Sequence, residues 1–154
     1  MKVGAGRAEI IFDERIFPVE GFNGVVADNP HARVIILDGD VRAAIVALEL
    51  VNAPEGVLEG SRKALLEKAD VKPANVWIHS THAIATPHLP VDKTGGELFI
   101  QSVVSAVEKA VDQAASTLQT ATVGAGCGTC DINANIKSIN INNLKTDDIN
   151  YIGY

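Results

Sequence analysis

The stretch His31-Ala-Arg-Val-Ile-Ile-Leu-Asp-Gly-Asp-Val-Arg-Ala-Ala-Ile-Val-Ala-Leu-Glu-Leu-Val51 decides the fold. Two apolar, β-branched runs, His31 to Leu37 and Val41 to Val51, flank Asp38-Gly39-Asp40, a turn signal, so the stretch predicts a β-hairpin. The second run is almost continuously apolar, which predicts a strand covered on both faces. Upstream, Val3 to Ile11 mixes small and apolar residues in an extended run. It leads into a loop, Phe17-Pro-Val-Glu-Gly-Phe-Asn-Gly24, whose aromatics read as exposed and available to line a cleft.

Downstream of the hairpin the period changes. Asn52 stands where a helix N-cap is wanted, and Pro54 and Glu55 suit the first turn. Val57, Leu58, Ala64, Leu65 and Leu66 form an apolar stripe, and Glu59, Arg62, Lys63, Glu67 and Lys68 form the solvated face. Asp70-Val-Lys-Pro73 ends the helix, because the residue before a proline is pushed out of the helical region. Val76 to Ser80 reads as a short strand. A second helix is predicted from about Glu97 to Leu118, with Phe99, Val103, Val104, Ala106, Val107, Ala110, Val111, Ala114 and Leu118 at helical spacing. Ala121 to Ala125 and Ile132 to Ile141 read as strands. The order β, ββ, α, β, α, β, β predicts one α/β domain over residues 1–154, a mixed β-sheet with flanking helices.

Composition narrows the function. A net charge of −6 and no basic run argue against nucleic-acid binding, which requires clustered Lys and Arg. No apolar span reaches the roughly 20 residues that a membrane helix needs, so no membrane span is expected. The start Met1-Lys-Val-Gly-Ala-Gly-Arg7 lacks the apolar stretch of a secretory signal, and the chain reads as cytoplasmic.

The chemistry-bearing residues gather at the end of the fourth strand, in Trp77-Ile-His-Ser-Thr-His-Ala-Ile-Ala-Thr-Pro-His88. His79, His82 and His88 fall within ten residues at a strand end, where a loop presents side chains to a cleft. Imidazole is the commonest metal ligand and a general base near neutrality. On a continuing strand His79 and His82 would point to opposite faces, so they converge only if the chain turns at Ser80-Thr81. Glu49 is an unusual carboxylate near the end of an apolar strand. It reads either as a metal ligand or an orienter of a ligating histidine, or as the partner of an Arg or Lys. Cys127-Gly-Thr-Cys130 has CxxC spacing, but it supplies half of a four-cysteine site and reads as a tight structural turn. Thr94-Gly-Gly-Glu97, ahead of the second helix, reads as a loop and helix start, the alternative being that it presents amides to an anion.

The order of these segments resembles the N-terminal domain of the neutral/alkaline, non-lysosomal ceramidase family. The resemblance runs through Val3-Gly-Ala-Gly-Arg-Ala-Glu-Ile10, through Asn29-Pro-His-Ala-Arg-Val-Ile-Ile-Leu-Asp38 (the family's "plyaRalvld") and through Ala44-Ile-Val-Ala-Leu-Glu-Leu-Val51. It is most specific at Ser80-Thr-His-Ala-Ile-Ala-Thr-Pro87, similar to the family's "sTHTHSGP". It implies a zinc-dependent hydrolase of a small-molecule amide, with His82 as metal ligand and catalytic residue, His88 as a second catalytic candidate, and His79 and Glu49 as further metal candidates. The family's second motif histidine is Ile84 here, its serine Ala85 and its glycine Thr86. In the later Asn133-Ala-Asn-Ile-Lys137 segment, Ile136 stands where the family has arginine. Zinc takes three or four ligands, so the resemblance also implies that a second chain, or the C-terminal portion of the same precursor, completes the site. Two further readings follow: a self-processed amidase with an N-terminal nucleophile on the next chain, and a non-catalytic binding or scaffold subunit.

Overall fold

The structure is a computed structural model, and it describes residues 1–19, 22–24, 28–90 and 93–129. These fall in two compact units, Met1–Thr122 and Val123–Tyr154. The first unit holds a five-stranded sheet of β1 (Lys2–Glu9), β2 (His31–Asp38), β3 (Arg42–Leu48), β4 (Val76–Ser80) and β5 (Gln119–Thr120). Its two helices are α1 (Glu55–Ala69) and α2 (Lys93–Ser116). The spatial order is β4-β3-β2-β1-β5. β1, β2 and β3 form an antiparallel meander, β5 runs antiparallel to β1, and β3-α1-β4 is a parallel crossover. The sheet is therefore mixed, as the alternation of periods predicts. In the second unit, the described residues Val123–Thr129 contain no regular element.

The core lies between the helices and one face of the sheet. Ala32, Val34 and Ile36 of β2 and Ala44, Val46 and Leu48 of β3 are buried there against Val57 and Leu65 of α1 and Phe99, Val103, Val107 and Val111 of α2. Two glycines set the closest approach. A Cβ on Gly4 or Gly6 would run into the backbone of α2 at Ala114 or Ala110, so the helix rests directly on β1 where neither strand residue has a side chain. The contact also seals the sheet edge. The Arg7 amide donates to Gln113 Oε1 at 2.7 Å, and Thr117 Oγ1 takes up both the amide and the carbonyl of Ala5. The helices meet where Gly56 and Gly60 of α1 lie against Ile100 and Val104 of α2, and Lys68 pairs with Asp112 at 2.8 Å.

Several expectations need correction. β3 is not covered on both faces: burial alternates along it, because both helices pack on the same side of the sheet. Asn52 does not cap α1. The cap is Pro54, whose carbonyl accepts from the amides of Val57 and Leu58, so Asn52 lies outside the helix. The buried stripe of α1 is Val57, Ser61, Ala64, Leu65 and Ala69, which leaves Leu66 44 % exposed on the far side. Asp70 closes α1 in a left-handed conformation, with the Val71 amide bonded back to the Leu65 carbonyl before Pro73 is reached. α2 begins one turn earlier than predicted, so Thr94-Gly-Gly-Glu97 is its first turn and not a preceding loop. The expected strand Ala121–Ala125 is instead the two-residue β5, because its register sets Ala121 opposite Met1, where β1 gives out. Phe17 packs against the core and is not exposed. The expected strand Ile132–Ile141, Asn133 to Lys137, and Cys130 lie outside the described residues.

Candidate functional site

The hairpin and the crossover bring three polar segments to one end of the sheet. Past β3 and β4 the two chains stay hydrogen-bonded, through the Thr81 amide to the Leu48 carbonyl at 2.9 Å and the Ala83 amide to the Leu50 carbonyl at 3.2 Å. Between those two bonds sits His82, with φ of 58°. This left-handed backbone is uncommon for a non-glycine residue, although histidine tolerates it better than most. The turn swings the imidazole away from the line of β4. His82 Nδ1 lies 2.9 Å from the Val51 carbonyl, a pure acceptor, so Nδ1 carries the proton and donates. In the neutral ring this leaves the Nε2 lone pair available, the tautomer that metal-ligating and general-base histidines use.

Beside this turn a cavity of about 540 Å³ is lined by Phe22, Asp28, Asn29, Pro30, Glu49, Thr81, Ala83, Ala85, Thr86 and Pro87. Its walls are mainly apolar, with carboxylates at Asp28 and Glu49. Thr86 is buried, and its hydroxyl donates to the Ala83 carbonyl at 2.7 Å, which fixes the loop that forms one wall. Phe22 supplies the wall expected of the aromatic loop, and its ring lies 6.3 Å from that of the half-buried His88.

Glu49 is engaged within the chain. Its Oε2 accepts from the His31 amide at 2.7 Å and lies 3.2 Å from His31 Nδ1, while its Oε1 is paired with Arg33 Nη1. Burial on its own would raise this carboxyl. The hydrogen bonds from Arg33 and His31 outweigh that effect and hold it below the ordinary carboxylate range. The Arg partner was the structural alternative in the sequence. A lowered native pKa adds stability that is fully present above the unfolded value near 4.5 and is lost as pH falls through the folded value. Glu49→Gln is accordingly expected to flatten the acid limb of stability in that window. For a partly exposed pair the effect is about 1 kcal/mol or less, read from urea midpoints at successive pH values.

The remaining candidates are dispersed. His79 sits on the exposed face of β4 that points away from the helices, in register with Ala47. Cys127 is an exposed thiol in the second unit. Among the described residues no three His, Cys, Asp or Glu side chains come together as a metal-binding group. The described residues therefore do not by themselves fit zinc. His31 is the residue that sequence reading missed. Hairpin register carries the signal: Ala32 faces Leu48, so His31 must face Glu49, with Arg33 on the same side two residues along.

A mixed sheet carrying two helices on one face is an α/β fold shared with solved ceramidases. One is the neutral ceramidase from Pseudomonas aeruginosa, with a TM-score of 0.64 at 17 % identity over 77 % of this chain. Another is a ceramidase complexed with C2, with a TM-score of 0.59 at 16 % identity over 77 % of this chain. The chain spans about a fifth of the length of these structures, 22 % and 21 % respectively. No protein-family model and no curated protein matches it. Among the described residues no helix is long and apolar enough to cross a membrane.

Proposed function

We propose that this chain is one part of a ceramidase-like hydrolase that cleaves an amide C–N bond in a small molecule. The residues that complete its active site lie on a second chain or on a further portion of the same polypeptide. The observation that carries this reading is His82: an exposed, left-handed residue at a strand end, its Nδ1 donating to the Val51 carbonyl, set in the chain between Thr81 and Ala83, which line an apolar-walled cavity. The fold shared with solved ceramidases supports it.

In this reading the cavity takes the apolar part of the substrate against Phe22, Pro30 and Ala83, and His82 Nε2 faces the reacting group. A bound zinc would supply polarisation of the amide carbonyl or an activated water, and His82 would be one of its three or four ligands. His88 beside Phe22 is the second catalytic candidate, and His79 is the lesser metal candidate. Glu49 acts through Arg33 and His31 to hold the cavity wall.

The test uses the complete protein isolated from its native source, with N-acyl amides as substrates and metal content measured by mass spectrometry. Asparagine tolerates the left-handed backbone, so His82→Asn removes the imidazole without forcing the turn to rebuild. It is expected to lower hydrolysis by about 100-fold or more, with bound metal lost and thermal stability nearly unchanged. Full activity in His82→Asn would overturn the role of this residue. A second reading, a non-catalytic scaffold or binding subunit, is favoured by the engagement of Glu49 with Arg33 and by the exposed Ile84. No amide hydrolysis and no bound metal in the complete protein would decide for it.

A further inference from the structure

The sheet face opposite the helices is ordered into rows by the strand register. One row crosses Ala5, Ile35, Ile45 and Trp77, a second crosses Arg7, Arg33, Ala47 and His79, and a third crosses Val3, Leu37 and Ala43. Strands lie about 4.8 Å apart and same-face residues follow at about 6.7 Å, so the first two rows form adjacent apolar and basic stripes. Trp77 is 69 % exposed and Ile35 41 % exposed on it. The β3–β4 pair beneath is parallel, and parallel pairs are ordinarily covered on both faces. The basic stripe is under-neutralised. Arg7 stands directly across from Arg33, a like-charge cross-strand pair that costs stability. Glu49 neutralises Arg33, and Arg7 has no ion-pair partner among the described residues.

We propose that this face docks a polypeptide segment that sets an apolar ridge beside carboxylates, supplied by the remainder of the hydrolase. The inference rests on the reading above that the chain is one part of such an enzyme. Charge selects the occupant. A second copy packed about a dyad through the apolar row would lay arginine on the basic row or on Val3, Leu37 and Ala43, and neither arrangement brings a carboxylate to Arg7. The length of the matched ceramidases, of which this chain spans about a fifth, leaves ample polypeptide to provide the segment.

Hydroxyl-radical footprinting, read residue by residue in mass spectra, tests this on the complete protein from its native source against the 154-residue chain alone. The expected result is at least a five-fold slower oxidation of Trp77 in the complete protein, lost in Arg7→Glu. Equal oxidation in both samples overturns the proposal, as does protection that survives Arg7→Glu. Trp77 already shielded in the isolated monomer, shielding that grows with concentration of the isolated chain, or shielding by phosphatidylserine vesicles overturns it too. These outcomes assign the face to this chain itself, to a second copy or to a lipid surface. Amide hydrolysis measured on the same preparation separates the two claims. Protection without activity refutes the hydrolase reading and leaves the docked face standing, and activity without protection does the reverse.

Discussion

Gly6→Val is expected to abolish cooperative folding, or at minimum to cost about 3 kcal/mol, because an added side chain there has no room to move into. Its Cβ would collide with the Ala110 carbonyl and come within 2.7 Å of the Ala114 amide, both main-chain atoms of α2. A flexible neighbour can rotate aside, whereas a helix backbone must shift as a body. Shifting α2 would also break the Gln113 and Thr117 bonds that seal the edge of β1. Ala5→Val one residue earlier, on the open face, is the control and is expected to stay within about 0.5 kcal/mol of the parent. Thermal melts followed by circular dichroism read both variants. A Gly6→Val protein that melts at the parent temperature would show that α2 does not rest on β1 as described.

Phe99→Ala is expected to cost about 3–5 kcal/mol, a large fraction of the about 5–15 kcal/mol that holds a typical domain folded. Phe99 is 2 % exposed, and its ring stacks on Phe12 at 5.2 Å between centroids, which ties α2 to the chain that leaves β1. Truncation removes the transfer free energy of the ring and leaves a cavity that α2, pinned by Gly4 and Gly6, is poorly placed to close. Phe99→Leu keeps much of the volume and is expected to cost less than half as much. Urea midpoints at constant m-value measure the difference. A loss below about 1 kcal/mol for Phe99→Ala would mean that the Phe12–Phe99 contact is not part of the core.

The functional predictions depend on a more local geometry. His82 reads in the sequence as one of three clustered histidines, and the structure separates them. His79 remains on the pleat of β4, His82 turns with a positive φ, and His88 lies past Pro87 beside Phe22. The spacing alone left convergence open, because it depends on whether the chain turns at Ser80-Thr81. Ser80 and Thr81 continue the pairing with β3, the chain turns only at His82, and no metal-binding group forms among the described residues. The Glu49 contacts had the opposite character. The residue stood out in an apolar strand, and its partners at His31 and Arg33 follow from hairpin register once the pairing is fixed.

The sequence by itself determined the alternation of extended and helical periods, the hairpin at Asp38-Gly39-Asp40, the apolar stripe of α2 and the presence of a histidine-rich segment after the strand at Val76–Ser80. All of these are carried by neighbours within a few turns or along one strand, where side-chain period and turn chemistry suffice. The tertiary structure alone decided which face of the sheet the helices cover. An apolar strand such as β3 looks alike whether one or both sides are packed, and only the landing of α2 on Gly4 and Gly6 selects the side. It also decided that β5 stops where β1 gives out, that Glu49 is taken by Arg33 and His31, and that His82 keeps one ring nitrogen free. Each of these depends on residues distant in sequence, and their meeting is a property of the packed chain.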